Sequence, residues 1–119
     1  MNRRGRVYWN EQLAGEIRET DEGYEFAYDY NWLGSVAAQP VSLTLPMRPE
    51  PYFSRTMIPF FDGLIPEGWL LSVTERTWKL DPRDRMGLLL TVCRDPIGAV
   101  SVQGVEVEHD PNMLGEEIQ

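Results

Sequence analysis

The sequence holds one cysteine and one histidine in 119 residues, and nowhere does it string together the roughly 18 apolar residues that a membrane span needs. A single cysteine, Cys93, rules out an internal disulfide framework and makes a reducing cytoplasm the expected compartment. Placed in the apolar run LLLTVC, it reads as a small buried hydrophobe. The only histidine is His109, beside an acidic C-terminal stretch, so a Ser-His-Asp or Cys-His pairing has no well-placed base. One His and one Cys give no spaced metal-ligand set, and a DxDxDG calcium loop is absent. Gly63 and Gly68 flank a proline turn, and no Gly-rich phosphate loop with a following lysine exists. The expectation is a protein with no cofactor, no metal and no catalysis of its own. The opening MNRRGRVYW lacks an apolar h-region, which disfavours export, and the missing apolar run disfavours membrane insertion.

Positive charge is also scarce. Eleven Lys and Arg stand against nineteen Asp and Glu, a formal charge of −8. Such a chain opposes the cationic face that nucleic-acid phosphates require and suits a basic protein surface better.

The residues present describe one compact domain, expected over 1–108, followed by an acidic, pattern-poor tail at 109–119 that should fray. Val7-Tyr8-Trp9 is a short β run, Asn10-Glu11-Gln12 can turn, Leu13 to Thr20 runs back, and Asp21-Glu22-Gly23 reverses the chain again. From Tyr24 to Leu33, Tyr24, Phe26, Tyr28, Tyr30 and Trp32 alternate with Glu25, Ala27, Asp29 and Asn31, which places the aromatics on one sheet face. An exposed ladder of this kind stacks nucleotide bases in single-strand binders, but Glu25 and Asp29 argue for a core face. Val41 to Pro46 alternates as a fourth strand, and Met47 to Pro59, with three further prolines, reads as an irregular surface loop. Helices are expected over Glu67 to Lys79 and, with Asp81 as N-cap and Pro82 in the first turn, Arg83 to Val92. Pro96 to Val102 returns to β, and Val105 to Val107 can extend it.

The helix after Pro66-Glu67-Gly68 carries two apolar stripes. Stepping about 100° per residue, Leu70, Leu71, Thr74 and Trp78 fall together while Trp69, Val73 and Leu80 fall nearly opposite. One helix on one core cannot bury both, so either it is sandwiched or one stripe faces a partner. Asp62, Glu67, Asp81 and Asp84 lie close enough in sequence to pair as general acid and base, yet read first as helix caps and solvated charges.

The series VYWNEQLAGEI, VSLTLP, FFDGLIPEGW and LLLTVCRDPIGAVSV, from about Val7 to Gln103, resembles the N-terminal subdomain of HipA-type serine/threonine kinases, the toxins of HipBA toxin–antitoxin modules. The runs Phe60 to Gly68 and Arg94 to Val100 carry most of the specificity, although the family more usually has Cys or Ser at Pro96. The phosphate loop, catalytic Asp and metal-binding Asp of such kinases lie beyond this subdomain. A free-standing version resembles HipS, the antitoxin of three-gene HipBST modules.

The resemblance implies an α+β fold with a small five-stranded antiparallel, barrel-like sheet and two or three helices packed at one end. It implies an antitoxin that docks on a HipT-like kinase near its active site, with a HipB-like DNA-binding protein in a ternary complex. The expected docking residues are Asp62, Glu67, Gly68, Trp69 and Val73, with Trp69 projecting outward as the anchor and Glu67 aimed at phosphate-holding Lys or Arg groups. Two other functions stay open: a subunit that completes a split HipA-type kinase, and a small enzyme using Asp62 and Glu67.

Overall fold

Asn10 and Glu11 have φ of 48° and 76°, the paired left-handed conformation of a two-residue hairpin turn whose twist matches that of the strands it joins. The structure, a computed structural model, describes residues 2–69, 81–94 and 98–105. The turn joins β1 (Arg4–Trp9) to β2 (Gln12–Thr20), and a second reversal, in which the Thr20 hydroxyl accepts from the Glu22 and Gly23 amides, leads into β3 (Gly23–Tyr28). These are the three strands that the alternation and the turn residues indicated.

With β4 (Tyr52–Ser54) and β5 (Val100–Gly104) the sheet has the order β4-β3-β2-β1-β5, every neighbour antiparallel. The five strands match the expected number and sense, but among the described residues the sheet is open, with β4 and β5 as its edges, and does not close into a barrel. A bulge between Val7 and Tyr8 sets both Ala14 and Gly15 of β2 inward. Val7, Ile17, Phe26, Tyr28 and Val102 fill the inner face. The outer face carries Arg4, Arg6, Glu16, Arg18 and Glu25, knitted by pairs such as Arg18 Nη2 to Glu25 Oε1 at 2.6 Å.

Among the described residues, three helices cover the inner face: α1 (Tyr30–Leu33), α2 (Pro59–Asp62) and α3 (Arg85–Val92). The ring of Phe61 in α2 lies tilted against Phe26 at 5.2 Å, and Tyr28 meets Phe26 edge-on at 4.9 Å. α3 buries Met86, Leu88 and Leu89. It also lies so close to β1 that a Cβ on Gly5 would stand 2.6 Å from Leu90 Cδ2, so a larger residue there would force that side chain to shift.

Four expectations need correction. The aromatic alternation is a strand only as far as Tyr28: the Asp29 side chain accepts from Asn31 N and caps α1, which leaves Tyr30 87% exposed and turns Trp32 back into the core. Val41 to Pro46 is not a strand. Ser42 Oγ bonds the Thr44 amide and hydroxyl, Leu45 N bonds Ser42 O, and these local bonds displace a ladder, so Val41 and Leu45 are buried while Leu43 is 94% exposed.

The fourth strand lies instead inside the proline-rich segment, where the Arg48 guanidinium covers the Tyr52 ring at 3.8 Å and bonds Glu50 O and Pro51 O. A three-residue edge strand tolerates the prolines that precede it. Finally, α3 starts at Arg85 with Asp84 as its cap, because Asp81 is engaged in a local turn onto Arg83 N. The helix expected from Glu67 is described only as far as Trp69. Leu70, Leu71, Val73, Thr74, Trp78, Leu80, residues 95–97 and the tail 109–119 lie outside the described residues. Among the described residues no helix is long and apolar enough to cross a membrane.

Candidate docking site

The segment from Ile58 to Trp69 is built as a chain of reversals with alternating anchors. Proline at its first position starts α2, where the missing N–H costs nothing. Gly63 N then bonds Pro59 O at 2.9 Å, Leu64 N bonds Phe61 O at 3.0 Å, and Ile65 N bonds Asp62 O at 3.2 Å. Ile58, Phe61 and Ile65 are buried, so the backbone is pinned at three points. After Ile65 the chain emerges: Pro66, Glu67 and Gly68 are exposed, and Trp69 N returns to Pro66 O at 3.1 Å.

Trp69 does not stand free as expected. Its ring is half-buried and packs against the core. Glu67 and Gly68 are in the open, as a docking turn needs. Asp62 is engaged within the chain: its Oδ1 accepts from Arg85 Nε at 2.6 Å. Val73 lies outside the described residues. Of the other acids considered as a catalytic pair, Asp84 is held by Arg3 and by the α3 cap, and Asp81 by Arg83. The described residues contain no group of three or more His, Cys, Asp or Glu placed to hold a metal.

Beside the turn lies an open apolar cleft of about 330 Å³. Phe60, Leu64 and Pro66 form one wall, Trp9 and Val100 another, and Val92 and Cys93 close the α3 end. Cys93 Sγ donates to Leu64 O at 3.4 Å, and burial pushes the thiol pKa up to about 11. The thiol is therefore a structural donor rather than a nucleophile. Sequence reasoning missed this cleft because its walls come from β1, α2, α3 and β5, and no periodicity links Trp9 to Leu64 or Val100. It also missed Arg85, which nothing in the sequence ties to Asp62, 23 positions away.

The sequence model of the HipA N-terminal domain matches residues 5–103. An uncharacterized protein of Haemophilus influenzae (strain ATCC 51907 / DSM 11121 / KW20 / Rd) is 33% identical over 101 residues, covering 85% of this chain and 92% of that protein. The putative kinase Y4mE of Sinorhizobium fredii (strain NBRC 101917 / NGR234) is 33% identical over 97 residues, 81% of this chain, but the match spans only 23% of the kinase. A solved structure titled as the N-terminal domain of HipA toxin superposes with a TM-score of 0.67 at 26% identity, covering 89% of this chain and 95% of that one. With most of its length matched in sequence and in fold, the chain belongs to the HipA N-terminal domain family.

Proposed function

We propose that this protein is an antitoxin that binds and inhibits a HipT-like serine/threonine kinase in trans in the cytoplasm, docking through the Pro66–Trp69 turn and the cleft beside it. The observation that carries the reading is the division of labour within Phe60 to Trp69. Phe61 and Ile65 are spent on the core, whereas Pro66, which lines an apolar cleft, and Glu67 and Gly68, which follow it, stand in solvent. An apolar recess beside an exposed turn that carries a carboxylate has the mixed make-up of a protein-binding patch. In the putative kinase relative, the matched region is under a quarter of the chain, so this domain occurs joined to a kinase-named polypeptide. In the Haemophilus relative it makes up nearly the whole protein. A surface that meets a kinase in cis in one setting serves docking in trans in the other.

On this reading Glu67 offers its carboxylate to basic groups of the kinase, and Trp69 supplies the apolar edge of the turn. The protein itself performs no chemistry, and a HipB-like DNA-binding protein joins the complex. The occurrence within a kinase-named chain favours one second reading, a subunit that completes a split kinase and supports its activity. Co-expression separates the two. A short HipA-type kinase that arrests growth alone should be silenced by this chain, whereas a supporting subunit would make the kinase more toxic.

A further inference from the structure

We infer that Asp62 is a positioning residue for the docking turn, acting through Arg85, and not a contact of the kinase; the inference rests on the docking reading above. α2 has four residues, too short to hold its own orientation. Ile58, Phe61 and Ile65 seat the segment on the core, but apolar contacts are non-directional and leave the roll of a single turn loosely set. The directional side-chain attachment is the Asp62–Arg85 bond at 2.6 Å.

Arg85 is a firm post. It opens α3, its Nη1 donates to Pro82 O at 3.1 Å, and its neighbour Asp84 is clamped by the Arg3 guanidinium. The Asp62 carbonyl in turn receives Ile65 N, the residue before Pro66, so a roll of α2 is transmitted directly to the turn that carries Glu67 and Trp69. The Asp62 side chain is 43% exposed and the Arg85 side chain 33%, and a part-solvated pair of this kind adds little to global stability. What it supplies is preorganisation: a turn already in its bound pose loses less freedom on docking.

The test compares wild type, Asp62→Asn, Arg85→Gln and the charge-swapped double variant Asp62→Arg/Arg85→Asp, with Trp69→Ala as a docking control. Affinity is measured by calorimetry against the HipT-like kinase inactivated at its catalytic aspartate. Backbone order in the free protein is read from hydrogen exchange of the Ile65 and Trp69 amides. Each single variant should bind about tenfold more weakly, with melting within about 4 °C of wild type and faster exchange at both amides. The swap should recover most of the affinity and the protection.

Wild-type binding by Asp62→Asn, or unchanged exchange in it, overturns the inference. So does a swap that regains protection yet binds no better than the single variants, since Asp62 would then touch the kinase itself. If wild type does not bind the kinase at all, the docking reading fails and the positioning role falls with it. If wild type binds and Trp69→Ala does not, any failure belongs to the Asp62 inference alone.

Discussion

Arg3 and Asp84, 81 positions apart, are joined by two parallel hydrogen bonds, Nη1 to Oδ2 at 3.0 Å and Nη2 to Oδ1 at 2.8 Å. The same guanidinium grips Glu19 through Nε and Nη2 at 3.0 and 2.8 Å. Asp84 Oδ1 also accepts from Gly87 N at 3.1 Å and so caps α3. One arginine beside the start of β1 therefore ties the end of β2 to the start of the only long helix described. These paired, charge-assisted bonds hold Arg3 more firmly protonated than usual, Glu19 contributing most and Asp84 next.

The first prediction concerns Gly87. In an ordinary helix Gly→Ala gains up to about 1 kcal/mol. Here the added Cβ would run into Asp84 Oδ2 and stand 3.2 Å from Arg3 Nη1. The carboxylate can yield only by giving up its cap and its hold on Arg3. Gly87→Ala should therefore cost about 1–2 kcal/mol in urea unfolding. A stabilised variant would show that the clamp is loose.

The second follows from the same clamp and concerns acid. Hydrogen bonds from Arg3, the largest cause, hold the Glu19 carboxyl below its ordinary 4.5 and the Asp84 carboxyl below its ordinary 3.8. Both groups thus bind protons more readily in the unfolded chain. Their stabilisation is complete above those ordinary values and is lost as pH falls through the lowered folded ones. Unfolding free energy should decline from about pH 5 downward, and Glu19→Gln with Asp84→Asn should flatten that decline. An acid limb of unchanged steepness in the double variant would locate the acid sensitivity elsewhere.

Much of the fold was legible because it is written locally. The β1–β2 and β2–β3 hairpins follow from Asn10-Glu11, from Asp21-Glu22-Gly23, and from alternation that holds through Tyr28. What misled was period two outside a sheet. Leu43 and Tyr30 continue the pattern, yet side-chain oxygens of Ser42 and Asp29 capture nearby amides and turn the chain instead. β4 was illegible because the prolines before it argue against a strand, while the contacts that shape it, Arg48 on Tyr52 and the Tyr52 hydroxyl on Pro46 O, are side-chain events. In the site, the emergence of Glu67 and Gly68 could be read from Pro66 and glycine. The half-burial of Trp69 and the Asp62–Arg85 bond depend on how α2 and α3 meet, which no spacing records.

The third prediction tests Tyr28. Its hydroxyl donates to Leu45 O and accepts from Val41 N at 3.0 Å, tying the 41–45 loop to β3. Tyr28→Phe leaves that amide and carbonyl without their partner and should cost about 1–3 kcal/mol. Tyr28→Ala adds a cavity beside Phe26 and should cost about 3–5 kcal/mol. Asp29→Ala removes only the cap of a one-turn helix, about 1 kcal/mol or less. Thermal melts giving any other order would mean that the loop is held by something besides this hydroxyl.

The fourth concerns Cys93. With a pKa near 11 and 7% exposure, the thiol is about one part in a thousand thiolate at pH 8 and is sheltered besides. Alkylation by iodoacetamide should be slow in native protein and fast in urea. Equal rates would show that the α3 end of the cleft opens readily.

The last prediction separates the two parts that Trp69 plays. Because its ring packs half-buried on the core, Trp69→Ala should lower stability by about 1–3 kcal/mol as well as weaken inhibition of the kinase. Glu67 is exposed and makes no packing contribution, so Glu67→Ala should melt like wild type. If the turn docks as proposed, Glu67→Ala still loses affinity, by about threefold to thirtyfold, and the loss shrinks as salt is raised. Melting curves beside a growth-rescue assay decide the matter. Full rescue by Glu67→Ala, together with rescue by Trp69→Ala in proportion to its folded fraction, would move the docking surface away from this turn. The proline-rich segment from Met47 to Pro59, where Phe53 is 54% exposed at the sheet edge, would then be the surface to mutate.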